Sequence, residues 1–235
     1  MHEKMLAAVV TRKWQLAQGY LAIEIETKYP TQLPPFDDGA IVDLVRHTSS
    51  NIVRSHPLWR VPARDDAFIL GVRQRIAKES EFPQSGFSWN EGDEIRVGKP
   101  RSTAIAMDST PRYILFSAGV GSIAIAGTAK RLASSGRCLE IYNFARTLQR
   151  AVFRKELDDF LGHARVCHKI GLSDAEILNA ISHAVSPAQA NTQIICSGPP
   201  CFMNLVEHQA LDWVYPSNIH KIILGERLAK DRKRP

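Results

Sequence analysis

Residues 117 to 125, Ser-Ala-Gly-Val-Gly-Ser-Ile-Ala-Ile, follow the apolar run Tyr113-Ile114-Leu115-Phe116 and lead into a helical pattern that ends near Arg131. A strand that breaks into glycines and then enters a helix offers free backbone N–H groups to an anion, as in a dinucleotide-binding turn. Gly119, Gly121 and Ser122 are the candidates for a pyrophosphate. Two glycines at such a turn also serve tight helix–strand packing alone, and both readings stand. Further on, the apolar run Thr192 to Cys196 ends in Ser197-Gly198-Pro199-Pro200. In an open α/β sheet the two strand ends would face one crevice. Side chains alternate along a strand, so Cys196 is expected in the sheet packing and Ser197 toward the crevice. Arg146, Thr147 and Arg150 follow the end of another strand-like run. They either hold an adenosine ribose or phosphate there or form a solvated helix start.

Other chemistries find little support. Cys138, Cys167, Cys196 and Cys201 have neither zinc-ribbon nor iron–sulfur spacing and read mostly as buried thiols. His163 and His168 face poorly for a shared metal, and no Ser-His-Asp or paired-carboxylate spacing argues for hydrolysis. No metal site is expected. A formal charge of +6 favours acidic partners, yet part of it is the run Lys230-Asp231-Arg232-Lys233-Arg234, read as a solvated basic end and not a nucleic-acid surface. No apolar run approaches the roughly 18 residues that span a bilayer, and Met5 to Val10 is too soon interrupted to be a signal peptide. The expectation is a cytoplasmic protein without nucleic-acid or membrane partners.

These residues must be placed by two kinds of element. Up to about residue 107, short alternating runs separated by turn residues mark an antiparallel barrel or sandwich: Met5 to Arg12, Ala17 to Glu26, Ala40 to Val45, Asn51 to Leu58, Ala67 to Arg75, Glu94 to Val97 and Ser102 to Met107. From Pro111 the pattern becomes βαβ, with strands Tyr113 to Ser117, Arg137 to Asn143, Ala164 to His168, Thr192 to Cys196 and Ile219 to Leu224. The intervening helices are expected near Gly121 to Ser135, Leu148 to Leu161, Asp174 to Ser182 and Pro200 to Trp213, with Ser173 as a cap. The division is a barrel over 1–108, an α/β nucleotide-binding-like domain over 109–226 and a basic tail over 227–235. The short joint at Asp108-Ser109-Thr110-Pro111 implies that the domains pack together.

The order of landmarks resembles the ferredoxin-reductase superfamily, in particular its phthalate dioxygenase reductase and vanillate demethylase reductase branch. Leu33 to Leu44 is similar to the family's early barrel segment, and Arg54-Ser55-His56-Pro57-Leu58 stands where the family has its flavin-contacting Arg-x-Tyr-Ser-Leu. Gly92-Asp93 followed by Pro100-Arg101-Ser102 resembles its Gly-Asp and Pro-Arg-Asn. Ala118 to Ile123 matches its glycine loop in part, Ile141 to Thr147 its adenosine-side strand and turn, and Gly198 to Met203 its Cys-Gly-Pro segment. The resemblance implies a Greek-key barrel that carries flavin, FMN in this branch with FAD as the alternative. It further implies an α/β domain that binds NADH, and hydride transfer to the flavin. Because the branch's ferredoxin domain has no counterpart here, it implies a separate electron acceptor, a ferredoxin or an oxygenase component. By the same resemblance Arg54, with a nest at Gly86 and Ser88, would hold the flavin phosphate and His56 would lie at the ring. Gly119, Gly121 and Ser122 would hold the pyrophosphate, Arg146 and Thr147 the adenosine side, and Ser197, Gly198 and Pro199 the nicotinamide.

The departures are specific. His56 replaces a tyrosine, Pro57 a serine with hydroxyl and N–H donors, Ile123 a threonine, Ala124 a proline, and Ser197 a cysteine. Between Arg75 and Gly92 too few residues remain for the family's phosphate-binding helix. Trp89 either stacks on a flavin or closes the barrel bottom. These losses define the alternative, a reductase-like fold with an eroded flavin site that acts as a non-redox binding or scaffold subunit or as a repurposed enzyme.

Overall fold

The computed structural model describes residues 5–28, 35–45, 52–61, 64, 66–74, 89–102, 112–133 and 136–228. Its first part holds β1 (Leu6–Ala17), β2 (Tyr20–Thr27), β3 (Ile41–Val45), β4 (Ile52–Arg60), β5 (Ala67–Arg73) and β6 (Glu94–Val97). Alternation is plain in β6, where Ile95 and Val97 are buried and Glu94 and Arg96 exposed. The strands pair antiparallel in the order β4-β3-β6-β1-β2-β5, and β5 returns to β4 to close a six-stranded barrel. Val10, Ile25, Leu44, Phe68 and Leu70 fill it, and Trp89 packs among them. Of the expected strand Ser102 to Met107 only Ser102 is described, and Gly86 and Ser88 lie outside the described residues.

The second part runs β7 (Arg112–Ala118), α1 (Gly121–Ala133), β8 (Cys138–Ala145), α2 (Arg154–Asp158), β9 (Arg165–Ile170), α3 (Asp174–Val185), β10 (Gln193–Ser197), α4 (Pro200–Ala210), β11 (Ile219–Lys221) and β12 (Gly225–Leu228). Strands β7 to β11 form a parallel sheet in the order β11-β10-β7-β8-β9. Ser173 caps α3 in a reciprocal box with Glu176. A chain that passes from an antiparallel to a parallel layer must change its hydrophobic period, and the inner strands β7, β8 and β10 are accordingly buried on both faces.

Three expectations are corrected. The helix over Leu148 to Leu161 is broken into a 3-10 turn at Leu148–Arg150 and the short α2. Phe153 between them adopts φ 56, and its ring packs edge-on against Trp59 of the barrel at 5.0 Å. The strand expected to reach Leu224 ends at Lys221, and the chain crosses to the barrel, where β12 pairs with β4 from Gly225↔Ser55 to Leu228↔Ile52. Residues 227 and 228, read as tail, are thus strand. Of the cysteines only Cys196 is buried, because Cys138 opens a strand and Cys201 lies in the first turn of a helix.

Helix α1 joins the two parts. Ten of its thirteen residues are buried, since it lies between the parallel sheet and the barrel, and Ile41 of β3 shares its core. Gly127 touches the turn at Asp38-Gly39 so closely that a Cβ there would collide with the Asp38 carbonyl. Gly39, at φ 79, has Gly127 Cα and Ala124 O within 2.9 Å of where its own Cβ would be. The buried Asp38 carboxylate accepts the Arg60 N–H at 2.9 Å and the Lys130 ammonium at 2.6 Å. In an exposed helix interior Gly→Ala gains up to about 1 kcal/mol. Gly127→Ala should instead lose about 1–3 kcal/mol through overpacking, read from urea unfolding. Gly162→Ala, with open space around its Cβ, should stay within about 0.5 kcal/mol of the parent. Equal midpoints for all three proteins would contradict this seating of α1.

Candidate functional site

Strand β4 explains where the site lies. Leu58 donates its N–H to Ala40 O at 2.7 Å and its carbonyl accepts from Gly39 N at 2.8 Å, so its backbone polar groups face the β3 side. Its neighbour Pro57 then faces the opposite edge. That edge is shared: β12 takes residues Ile52–Ser55 and β5 takes Leu58–Arg60. Pro57 falls in the gap, where its missing N–H deprives no ladder partner. Beyond the gap β5 runs on through Gly71 to Arg73, paired there with β2 alone.

A cavity of about 500 Å³ opens at this gap, between the barrel and the ends of β7 and β10. Arg54, His56, Gly71 and Arg73 form its barrel wall, Gly119, Gly121, Gly198 and Pro199 its sheet wall, and Ile223, Leu224 and Gly225 the crossing segment. A second cavity of about 240 Å³ continues over β8 and β9 and is lined by Arg146, Arg150, Lys169 and Asp174. Tyr20, Arg73, Gly119 and Pro199 line both.

Gly119 sits at φ 58, and a Cβ there would lie 2.9 Å from the Tyr20 hydroxyl oxygen. Only glycine holds this bend without strain. The bend aims the N-terminus of α1, with its positive dipole end, at the first cavity. At the opposite wall a Cβ on Gly198 would stand 3.0 Å from the Phe202 ring.

The structure brings Arg54, His56, Gly119, Gly121, Gly198 and Pro199 to one cavity, and Arg146 to its extension. Thr147 is exposed at the cap of the 3-10 turn and is not part of either wall. Two hydroxyls turn inward. Ser122 donates to Asn143 Oδ1 at 2.9 Å, and Ser197 donates to Ile222 O at 3.0 Å; both residues are fully buried. The expected outward orientation of Ser197 is therefore not found, because the chain after β11 covers that face, with Ile222 N donating to Cys196 O at 2.8 Å. Tyr20, Arg73, Lys169 and the crossing segment were absent from the sequence-derived set. Tyr20 and Arg73 sit on opposite strands of one barrel pair, a register that only the fold supplies.

His56 differs from a side chain that titrates near neutrality. Burial is the main reason its pKa falls to about 4, partly countered by the contact of Nδ1 with Gly71 O at 3.2 Å. Its ring lies 6.1 Å from that of Trp89, so it is as much barrel core as cavity wall. Cys196 is likewise silent, since burial pushes its thiol up to about 12. Among the described residues no three His, Cys, Asp or Glu side chains are grouped to hold a metal, and no helix is long and apolar enough to cross a membrane.

No protein-family profile matches the chain. It is 22% identical over 203 residues to vanillate O-demethylase oxidoreductase of Acinetobacter baylyi, covering 86% of this chain and 62% of that one. It is 24% identical over 200 residues to the tert-butanol monooxygenase / tert-amyl alcohol desaturase reductase subunit of Aquincola tertiaricarbonis, covering 83% and 57%. The chain thus spans about three-fifths of the length of these relatives. Phthalate dioxygenase reductase, described as modular for electron transfer from pyridine nucleotides to [2Fe-2S], superposes with TM-score 0.70 at 19% identity over 93% of this chain and 67% of its own. The closed barrel, the five-stranded parallel sheet and the glycine-bearing strand ends between them are those of the ferredoxin reductase-like fold, and the curated relatives are an oxidoreductase and a reductase subunit.

Proposed function

We propose that this chain is the flavin- and pyridine-nucleotide-binding unit of an electron-transfer oxidoreductase, taking hydride from a reduced pyridine nucleotide and passing electrons to a separate ferredoxin or oxygenase component. The observation that carries the reading is the cavity at the gap in β4, where a barrel wall and two strand ends meet. Its volume of about 500 Å³ lies in the ordinary range of cofactor pockets and suits a tricyclic ring. Arg54 supplies a cation at the barrel wall, and Gly119, Gly121 and α1 supply N–H groups and a dipole at the other. These residues fit a flavin in size and charge. When bound, a flavin converts hydride transfer into electron delivery.

In this reading FMN is the flavin and Arg54 pairs with its phosphate; the nest expected at Gly86 and Ser88 lies outside the described residues. Gly119 and Gly121 hold the nucleotide pyrophosphate by backbone N–H groups, with Ser122 bracing the turn from inside. Gly198 and Pro199 close over the nicotinamide, and Ser197 fixes that strand end through Ile222. His56, kept neutral by burial, adds no charge beside the ring and orients the wall through Gly71. Arg146 stands at the adenosine side, and Thr147, outside that wall, takes no part. The fold supplies proximity: the two ligands meet because two domains are held face to face.

A second reading, a non-redox binding subunit, is favoured by the inward-turned hydroxyls of Ser122 and Ser197 and by Pro57 at the open edge. Titration of the purified chain with FMN and FAD decides between them. Saturation to 100 times the dissociation constant should stabilise the fold by about 2.7 kcal/mol, and Arg54→Ala should weaken FMN binding by about tenfold or more. NADH or NADPH should then bleach the flavin absorbance. A protein that neither flavin stabilises is the non-redox subunit.

The lowered pKa of His56 also sets a pH dependence. The unfolded imidazole binds a proton near 6.5 and the folded one only near 4, so its contribution is complete above pH 6.5 and is lost as pH falls toward 4. His220, also lowered by burial, acts in the same sense. Urea midpoints should therefore fall between pH 7 and 5, and His56→Gln should flatten that slope. An unchanged slope in the variant would show that His56 titrates normally.

A further inference from the structure

The second cavity carries a charge pattern that the nucleotide reading does not by itself explain. Four cations line it: Arg73 at the mouth, Arg146 and Arg150 after β8, and Lys169 on β9. Among the described residues none of the four is ion-paired with a carboxylate. Some other cations are matched, as in Arg112 with Glu140 and Arg101 with Asp43. One carboxylate, Asp174 at the start of α3, shares the cavity. Arg150 is held in place over the Tyr20 ring at 5.8 Å, and Gln18 N donates to Gln149 O at 2.8 Å, so this turn is fixed against the barrel.

The pattern has a direction. A pyrophosphate at Gly119 lies at the end of β7, whereas Arg146 follows the adjacent β8 and Lys169 lies on β9, the next strand out. With strands about 4.8 Å apart, these cations stand roughly 5–10 Å to the side of the pyrophosphate loop. That is where the adenosine ribose of a nucleotide laid across the strand ends must fall. A carboxylate at the end of the second strand would accept from a free ribose 2′-hydroxyl, while arginine there suits a 2′-phosphate. The residues at the end of β8 are Ala145, Arg146 and Thr147, without a carboxylate.

Resting on the pyridine-nucleotide reading above, we propose that the cavity over β8 and β9 recognises a ribose 2′-phosphate through Arg146, Arg150 and Lys169, so that the chain selects NADPH over NADH. The cations supply charge-assisted hydrogen bonds that a 2′-hydroxyl cannot use. Arg73, nearer the loop, is left to the pyrophosphate.

The test is calorimetric titration of the full chain with adenosine 2′,5′-bisphosphate and with 5′-ADP, which carry two phosphoryl groups each but place them differently. The 2′-phosphorylated ligand should bind about tenfold tighter or better, the factor one net charge-assisted hydrogen bond supplies. Arg146→Gln and Lys169→Gln should each weaken it roughly fivefold and leave 5′-ADP within about twofold, with unchanged melting temperatures as the folding control. Equal affinities for the two ligands, or equal losses for both in the variants, overturn the 2′-phosphate assignment while leaving nucleotide binding intact. Failure of both ligands to bind removes the nucleotide reading and this proposal together.

Discussion

The contact of α1 with the turn at Asp38-Gly39 is the constraint on which the rest of the molecule depends. A helix buried on both sides must have small residues where its neighbours come closest, and Gly127 and Ala124 meet Asp38 and Gly39 there. The same helix sends Ile123 toward Gly71 of β5, where a Cβ would strike the isoleucine side chain. These two contacts fix α1 at its middle and near its start. Because the start of α1 is also the glycine turn, the turn's distance from β4 and β5 is set by packing and not by a ligand.

The cavity is a consequence of how one edge of β4 is divided. A barrel that closed along the whole of β4 would leave no gap beside His56 and Pro57. Here β5 leaves β4 after Leu58↔Leu70, and β12 occupies only the far end of the edge. The crossing residues Ile223 and Leu224 bridge from sheet to barrel and form the third side of the space. Proline is tolerated in the middle of β4 for the same reason that a ligand would be: that stretch of edge has no strand beside it.

The architecture was largely legible because hydrophobic period is local. Alternation marked the barrel strands, and strand–glycine–helix order marked the turn at Gly119. What failed was set by nonlocal burial. Ser197 follows the alternation rule in register, yet the chain after β11 covers its outer face, and a strand buried on both sides gives alternation nothing to report. Residues 227 and 228 read as the start of a basic tail until β4 offers them, with Gly225 and Glu226, a partner. Phe153 breaks a helix whose sequence period is intact, since its buried ring is positioned by Trp59 from the other domain. Of the candidate site, the glycines and Arg54 were found by pattern and resemblance, whereas Tyr20, Arg73 and Lys169 converge only through strand order.

The inward-turned Ser122 belongs to a buried chain of hydrogen bonds with a defined sense. Asn143 Oδ1 accepts from both Ser117 and Ser122 at 2.9 Å, which uses both of its lone pairs. Its amide nitrogen, a donor only, then faces His168 Nδ1 at 3.4 Å, so the imidazole carries its proton on Nε2 and gives it to Asp158 at 2.8 Å. The first turn of α1 is thereby tied to β7, β8 and β9 at once. Satisfied networks of this kind rigidify what they join, and the glycine turn is preorganised. A hydroxyl spent in this way is not available to a phosphate. Among the described residues, an anion at the turn relies on backbone N–H groups and the helix dipole, and side-chain positive charge is met further out, over β8 and β9, and at the barrel wall. Under the proposed nucleotide reading, backbone groups would hold the common part of the nucleotide and side chains would read its distinguishing part.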